Sequence, residues 1–470
     1  MKRVKTLLAS SLLLLSSSVW AEQPYGDWLG TLMGSMRIKV QISKNETGKA
    51  LVKLTSIDQG NSQIMADSME LAENKMEFSF SGLGASYKAS WDQAAQQWRG
   101  EWLQSGQTMK LDLSAFKGEV PAPVKKNRPQ VEAIKGGKLS YRESEVQFLG
   151  LDQTTNFAGT LCLPAGQGPF PAAVLVHGSG PNTRNEELFG HQIFTVIADH
   201  LCSRGIAVLR YDKRGVGASK GTFKTATTYD FSDDAQAAVD FLRKYSAIDA
   251  KRVGLIGHSE GGLIAPIVAS RDPQLGFVIL MGGPGIAINQ LMIEQARDGE
   301  IAEGNVDQAE KEVQKYRKIY DLMLVEKDVE ALRTKMREVM MADPKANEKE
   351  VQSEMKMLIS PWFLTFIRMQ PQEYLAKVKQ PTLAINGERD FQVSAKSNLA
   401  GIREAMKNNK NLTAIELPKL NHLFQTSTTG AFSEYDKIEE TVAPFALNTI
   451  SDWLAKQMNQ IGSKKLVKHK

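Results

Sequence analysis

Cysteine is almost missing from this chain: 470 residues carry two, Cys162 and Cys202. Two cannot make a disulfide framework. With no C-x-x-C pair and no His/Cys cluster, a structural zinc is not expected, and nothing in the pattern asks for a metal or organic cofactor. Cys162 lies in a strand-like run, AGTLCLP, and Cys202 near the end of a helical one, VIADHLCSRG, so two separate buried thiols are expected. Strong net charge is missing too. Lys and Arg number 58 against 53 Asp and Glu, and the terminal KKLVKHK takes four of the lysines. A nucleic-acid partner would need basic residues clustered on one folded face. None is expected.

The chain also lacks an unbroken apolar run of the ~20 residues that a membrane span needs. The first 21 residues, MKRVKTLLASSLLLLSSSVWA, start basic (Lys2, Arg3, Lys5), continue apolar around Leu7 to Leu15, and end in Val19-Trp20-Ala21. A basic start, a short apolar core and a small-x-small end are the marks of a secretory signal. Residues 1–21 are therefore expected to be cut after Ala21, leaving a periplasmic or secreted protein without stable membrane insertion. Losing three basic residues takes the net charge from +5 to about +2. No cysteine near the cut offers a lipid anchor.

What the chain does have is two textures. Residues 22–116 read as β-rich: MRIKVQIS, KALVKLTS, KMEFSFSG, ASYKASWD, QQWRGEWLQ and TMKLDLSAF alternate in character and are separated at hairpin spacing. A small antiparallel barrel or sandwich is expected, with Trp28, Trp91, Trp98 and Trp102 in core packing rather than on a ligand platform. Residues 117–142, including KGEVPAPVKKNRPQ, read as a linker whose prolines favour extended backbone. From 143 to 458, apolar runs without in-out alternation (PAAVLVHG, IAVLRYD, KRVGLIGHS, GFVILMGG, PTLAINGERD) alternate with helical stretches. That predicts an α/β domain with a mostly parallel, doubly wound sheet. Residues 287–375 interrupt it with Glu-, Lys- and Met-rich helical sequence, expected to be a cap because it leaves the sheet at a strand's carboxyl end. Residues 459–470 read as a solvated basic tail.

Within the α/β part, GLIGHSEGG places Gly257-x-Ser259-x-Gly261 between a strand and a helix. That context marks a nucleophile elbow, with the Ser259 hydroxyl at a helix N-terminus, where N–H groups and the dipole favour negative charge. A serine needs a base and an orienting acid. Of six histidines, His469 is in the tail, His191 and His200 are in or near an upstream surface helix, and His177 and His258 sit inside turn motifs where backbone geometry explains them. His422, in LPKLNHLFQ beyond a late strand, remains as the base. LAINGERDFQV offers Asp390 as the acid, with Glu388 as its rival. Ser259, Asp390 and His422 follow the chain order that this fold uses. Backbone N–H groups of Glu260, after the serine, and of Ser179, in HGSGP, are the expected oxyanion donors; Gly180 is the alternative to Ser179. Losing one such donor typically costs ~3 kcal/mol in the transition state.

VHGSGP, LRYDKRGVGAS, GLIGHSEGG, NGERDFQV and NHLFQ together resemble the secreted bacterial α/β-hydrolases related to dienelactone hydrolases and serine aminopeptidases. The resemblance spans residues 143–458, and more weakly the β-rich front domain. It implies serine hydrolase activity, most often on small carboxylic esters, and a structural role for Asp212 and Arg214 in a loop. Dienelactone hydrolases with a cysteine nucleophile carry Cys at the elbow, where this chain has Ser259. The expectation is an exported esterase acting on a small-molecule acyl ester through an acyl-enzyme. Two rivals stand beside it. One is an aminopeptidase or acyl-amide or thioester hydrolase using Glu260 or a cap acid such as Glu294; the other is a binding protein with a vestigial hydrolase domain.

Overall fold

The computed structural model describes residues 24–32, 36–57, 62–72, 74–80, 85–104, 107–118, 127–342 and 346–467. The expected signal segment and His469 lie outside the described residues.

Short alternating strands build the front domain. In Met36–Lys44, Met36, Ile38, Val40 and Ile42 are buried while the residues between them face out, the period-two pattern of a half-buried strand. Among the described residues, ten strands join in one antiparallel sheet. Its two edges, Ser62–Met65 and Ser68–Ala72, are consecutive in sequence, and the corner between them bonds to both sides: Ala66 N to Val52 O and Asp67 N to Ser79 O. The result is a half-barrel, one curled sheet rather than the two packed sheets of a sandwich. Trp28, Trp98 and Trp102 are buried in it, and Trp28, Trp91 and Trp98 meet edge to face at 5.3–6.3 Å. They pack as core.

The expected linker is partly structured. Pro129–Gly136 is a helix with proline in its first turn, where the missing N–H costs nothing. Arg128, 4% exposed, donates to the carbonyls of Phe189, Asp436 and Ile438, and Tyr141 donates to Asp199 at 3.1 Å. Residues 127–141 are thus tied to the domain that follows, because a buried guanidinium outweighs the proline signal for extended chain.

The second sheet has eight strands in the spatial order Arg142–Leu149, Asn156–Leu163, Ala207–Tyr211, Phe170–Val176, Ile248–His258, Val278–Met281, Thr382–Gly387, Leu412–Leu417. From Ala207–Tyr211 onward all neighbours are parallel; the first two strands pair antiparallel. The sheet is therefore mixed but mostly parallel. Among the described residues, six helices between Ile288 and Leu375 separate the strands Val278–Met281 and Thr382–Gly387. They share a core of Tyr320, Met336, Met355 and Phe363 with Leu263 and Ile267 of helix Gly261–Arg271. The apolar SPWFLTFIRMQP buries Phe363, Phe366, Ile367 and Met369 there. Cys162 and Cys202 are free and buried.

Candidate active site

Strand Ile248–His258 ends one residue before Ser259, and helix Gly261–Arg271 begins two residues after it. Between them Ser259 has φ +55°, a left-handed conformation that an L-residue holds only against strain. Two flanking glycines are required sterically. A methyl group on Gly257 would stand 2.0 Å from Gly261 O, and one on Gly261 would stand 2.0 Å from Val176 O. The turn is fixed further by Ser259 N donating to Met281 O and Gly262 N donating to Ser259 O.

Asp390 and His422 come together from the loops after the last two strands. His422 Nδ1 lies 2.8 Å from Asp390 Oδ2, both side chains almost wholly buried. The other oxygen, Oδ1, accepts from the N–H groups of Gln392 and Val393. This holds the carboxylate in place and leaves His422 Nε2 for another partner. A methyl group on Gly282 would meet Asp390 Oδ2 and the His422 ring at 3.3 Å, and Gly282 follows the Met281 whose carbonyl receives Ser259 N. The pair thus sits beside the serine turn. Glu388 is elsewhere: its carboxylate accepts from Lys419 N.

The Gly178–Ser179 peptide flanks the serine, for a methyl group on Gly178 would stand 3.1 Å from Ser259 Cβ. Gly178 N donates to Glu186 Oε1 at 2.6 Å; Gly178 O accepts from Lys213 Nζ at 2.7 Å and from Asn182 Nδ2 at 3.0 Å. Gly180 has φ +97° and turns the chain away. The Glu260 carboxylate is not free for a substrate amine. It accepts from Thr228 Oγ1 at 2.7 Å and from Trp362 Nε1 of the helical insertion at 2.9 Å, and it faces Lys213 Nζ at 3.7 Å. Burial pulls the Lys213 ammonium below the usual lysine range, against the opposing pull of Glu260, Glu186 and Asp234. The Glu294 carboxylate accepts from Ser397 at 2.6 Å.

Three further histidines, His191, His177 and His258, are built into the frame. His191, expected in or near a surface helix, lies just ahead of helix Ile193–Cys202 in a two-residue strand and is fully buried. Its Nε2 lies 3.0 Å from Tyr435 O, and its Nδ1 lies 3.1 Å from Thr441 Oγ1. His177 packs against Phe194 and Tyr211, and burial lowers its pKa to about 4. His258 donates from Nε2 to the carbonyl of His422 at 2.9 Å and turns Nδ1 towards Glu186 Oε1 at 3.3 Å. Among the described residues no group of three or more His, Cys, Asp or Glu is placed to hold a metal ion.

Residues 191–424 match the family model described as "Serine aminopeptidase, S33". Esterase EstD of Thermotoga maritima is 27% identical over 323 residues, which cover 67% of this chain and 68% of that one. The chain is a serine hydrolase, and its homologues are named esterases and hydrolases of the α/β type. The 2,6-dihydropseudooxynicotine hydrolase of Paenarthrobacter nicotinovorans is 32% identical to the hydrolase over 26% of its length and 30% of the relative's. An α/β-hydrolase from a Penicillium species matches in structure at TM-score 0.45 and 17% identity, over 68% of the hydrolase and 99% of that chain.

Reading the sequence alone misses Glu186, Lys213 and Trp362 in this hydrolase's site. Lys213 had a visible signal, since it lies inside YDKRGVGAS between Asp212 and Arg214. Those two neighbours hold the loop: Asp212 accepts from Arg184 and Ala218 N, and Arg214 pairs with Asp234. Glu186 and Trp362 carry no local pattern and are recruited only by the fold.

Proposed function

We propose that the hydrolase is exported and cleaves carboxylic esters of small acyl groups through Ser259, His422 and Asp390. The observation that carries this reading is the Asp390–His422 hydrogen bond at 2.8 Å beside a serine strained to φ +55°. With Nδ1–H donated to Asp390, the neutral His422 ring presents an unprotonated Nε2, the tautomer a general base needs. Nε2 takes the Ser259 proton as Oγ attacks the acyl carbonyl. Asp390 then stabilises the imidazolium. The carbonyl oxygen, now negative, is received by the N–H groups of Ser179 and Glu260, the second at the start of a helix whose dipole favours that charge. His422 returns the proton to the leaving alcohol, the ester bond breaks, and water activated by the same ring releases the acid. The helical insertion acts as a cap over the site, fastened to the residue after the serine by the Trp362–Glu260 hydrogen bond. Export rests on the signal-like pattern of residues 1–21.

Esters are favoured over substrates with a free amino terminus because the carboxylate next to the serine already has Thr228 and Trp362 as donors. The test compares p-nitrophenyl acetate and butyrate, an acyl thioester and aminoacyl anilides on purified enzyme and its Ser259→Ala variant. Ester turnover that vanishes in the variant supports the reading. Ester turnover that survives the substitution, or activity confined to the anilides, overturns it.

A further inference from the structure

Among the described residues one lysine, Lys213, is buried, and the proposed mechanism does not use it. Lys213 is 3% exposed, and its ammonium lies 2.7 Å from the carbonyl of Gly178 and 3.7 Å from the Glu260 carboxylate. Burying an ammonium is costly unless it is paired and hydrogen-bonded. A lysine serving only as filler would be replaced at no loss by an apolar residue, so the position of its charge needs a reason.

Peptide planarity supplies one. In a trans peptide the carbonyl of residue i and the N–H of residue i+1 lie in one plane and point in opposite directions. Whatever holds Gly178 O therefore aims the Ser179 N–H the other way. We propose that Lys213 is a positioning residue for the oxyanion site: by fixing and polarising the Gly178 carbonyl it orients the Ser179 N–H and strengthens it as a donor, with Glu260 as its buried counter-ion. This rests on the proposed serine mechanism.

Three details support it. The Gly178 N–H is held as well, by Glu186 at 2.6 Å, so the peptides on both sides of Gly178 are clamped and the loop cannot rotate to compensate. Gly178 is close enough to the serine that an added methyl would stand 3.1 Å from Ser259 Cβ. Glu260, the counter-ion, also carries the second expected donor on its own backbone, so one buried ion pair spans both donor peptides. A cation on the carbonyl draws electron density through the amide, and cooperative polarisation of this kind makes the N–H a stronger donor. Asn182 also donates to Gly178 O, at 3.0 Å. Loss of Lys213 therefore weakens the arrangement without abolishing it.

The test uses Lys213→Met and, to avoid leaving a lone buried carboxylate, Lys213→Met combined with Glu260→Gln. Each is assayed on an ester and on the matching thionoester, whose sulfur is a poor acceptor for an oxyanion site. Expected is a kcat on the ester reduced roughly tenfold to hundredfold, less than the loss of a whole donor, with KM little changed and the ester-to-thionoester kcat ratio falling by a similar factor. The double variant keeps its unfolding midpoint near that of the parent. An unchanged ratio, whether kcat is untouched or falls equally on both substrates, overturns the proposal. Ser259→Ala run alongside separates the two claims: if it stays active the serine mechanism itself fails, whatever Lys213 does.

Discussion

The ring of His258 holds the backbone of His422: Nε2 donates to the His422 carbonyl at 2.9 Å, across 164 positions of chain. Its other nitrogen faces Glu186, which in turn receives the Gly178 N–H. One carboxylate and one imidazole thus connect the loop expected to bind the oxyanion with the loop that carries the proposed base.

That link predicts a pH window. Burial opposes the charge on His258, but Glu186 outweighs it and raises the pKa above the usual histidine value. Burial likewise opposes charge on Glu186, and His258 more than offsets it, lowering the carboxyl pKa. A raised histidine contributes fully below its unfolded value of about 6.5 and loses the contribution as pH rises through the folded value; a lowered glutamate contributes fully above about 4.3 and loses it in acid. The pair stabilises most between about pH 5 and 6.5. Urea midpoints of the parent and Glu186→Gln should differ most in that window and converge towards pH 9. A gap independent of pH would rule the link out as an ion pair.

His177 has the opposite sign to His258 and adds to the loss of stability in acid. Its pKa is lowered to about 4 by burial, so between about pH 6.5 and 4 the unfolded chain binds a proton that the folded one refuses. Stability should fall as pH drops through that range. His177→Phe, between the Phe194 and Tyr211 rings, should flatten the fall. An equal slope in parent and variant would assign the acid sensitivity elsewhere.

Strain at the elbow separates stability from activity. Ser259→Gly should be more stable than Ser259→Ala by roughly 1 kcal/mol, because only glycine adopts φ +55° without penalty. Neither variant should turn over substrate. Gly257→Ala, with its methyl 2.0 Å from Gly261 O, should lose about 3 kcal/mol or fail to fold. Denaturant melts rank the three, and an alanine tolerated at 257 would mean the turn is looser than described.

Trp362→Phe keeps an aromatic ring but removes the donor to Glu260. The expected cost is about 1.5–3 kcal/mol, the range for a hydrogen bond to a charged group, and towards its lower end because Thr228 still donates to the carboxylate. With the insertion less firmly held, KM should rise more than kcat falls. A rise in neither would detach the insertion from the site.

Much of this was legible in the sequence because it is local. The strand-turn-helix around Ser259 is written in adjacent residues, the front domain's strands alternate with period two, and the helical stretch from 287 to 375 announces itself by its spacing. The chain order of Asp390 and His422 pointed to the two loops that the fold joins. Contacts across long separations were not legible. Arg128 reaches residues 308 and 310 positions away, so a segment that reads as linker is docked. His191 reads as lying in or near a surface helix until Thr441 and Tyr435 close over it. Lys213 reads as one more loop charge until Gly178 and Glu260 are placed against it. Buried polar networks are assembled by tertiary structure, and no short stretch of sequence encodes both halves.

The central claim is that Ser259 is the nucleophile. Incubation of the purified hydrolase with a fluorophosphonate, followed by intact-mass and peptide analysis, tests it most directly. The account predicts a single adduct, on the peptide containing Ser259, that blocks ester hydrolysis in proportion to labelling and is absent in Ser259→Ala. No adduct on an enzyme that hydrolyses esters, or labelling undiminished in Ser259→Ala, would contradict it.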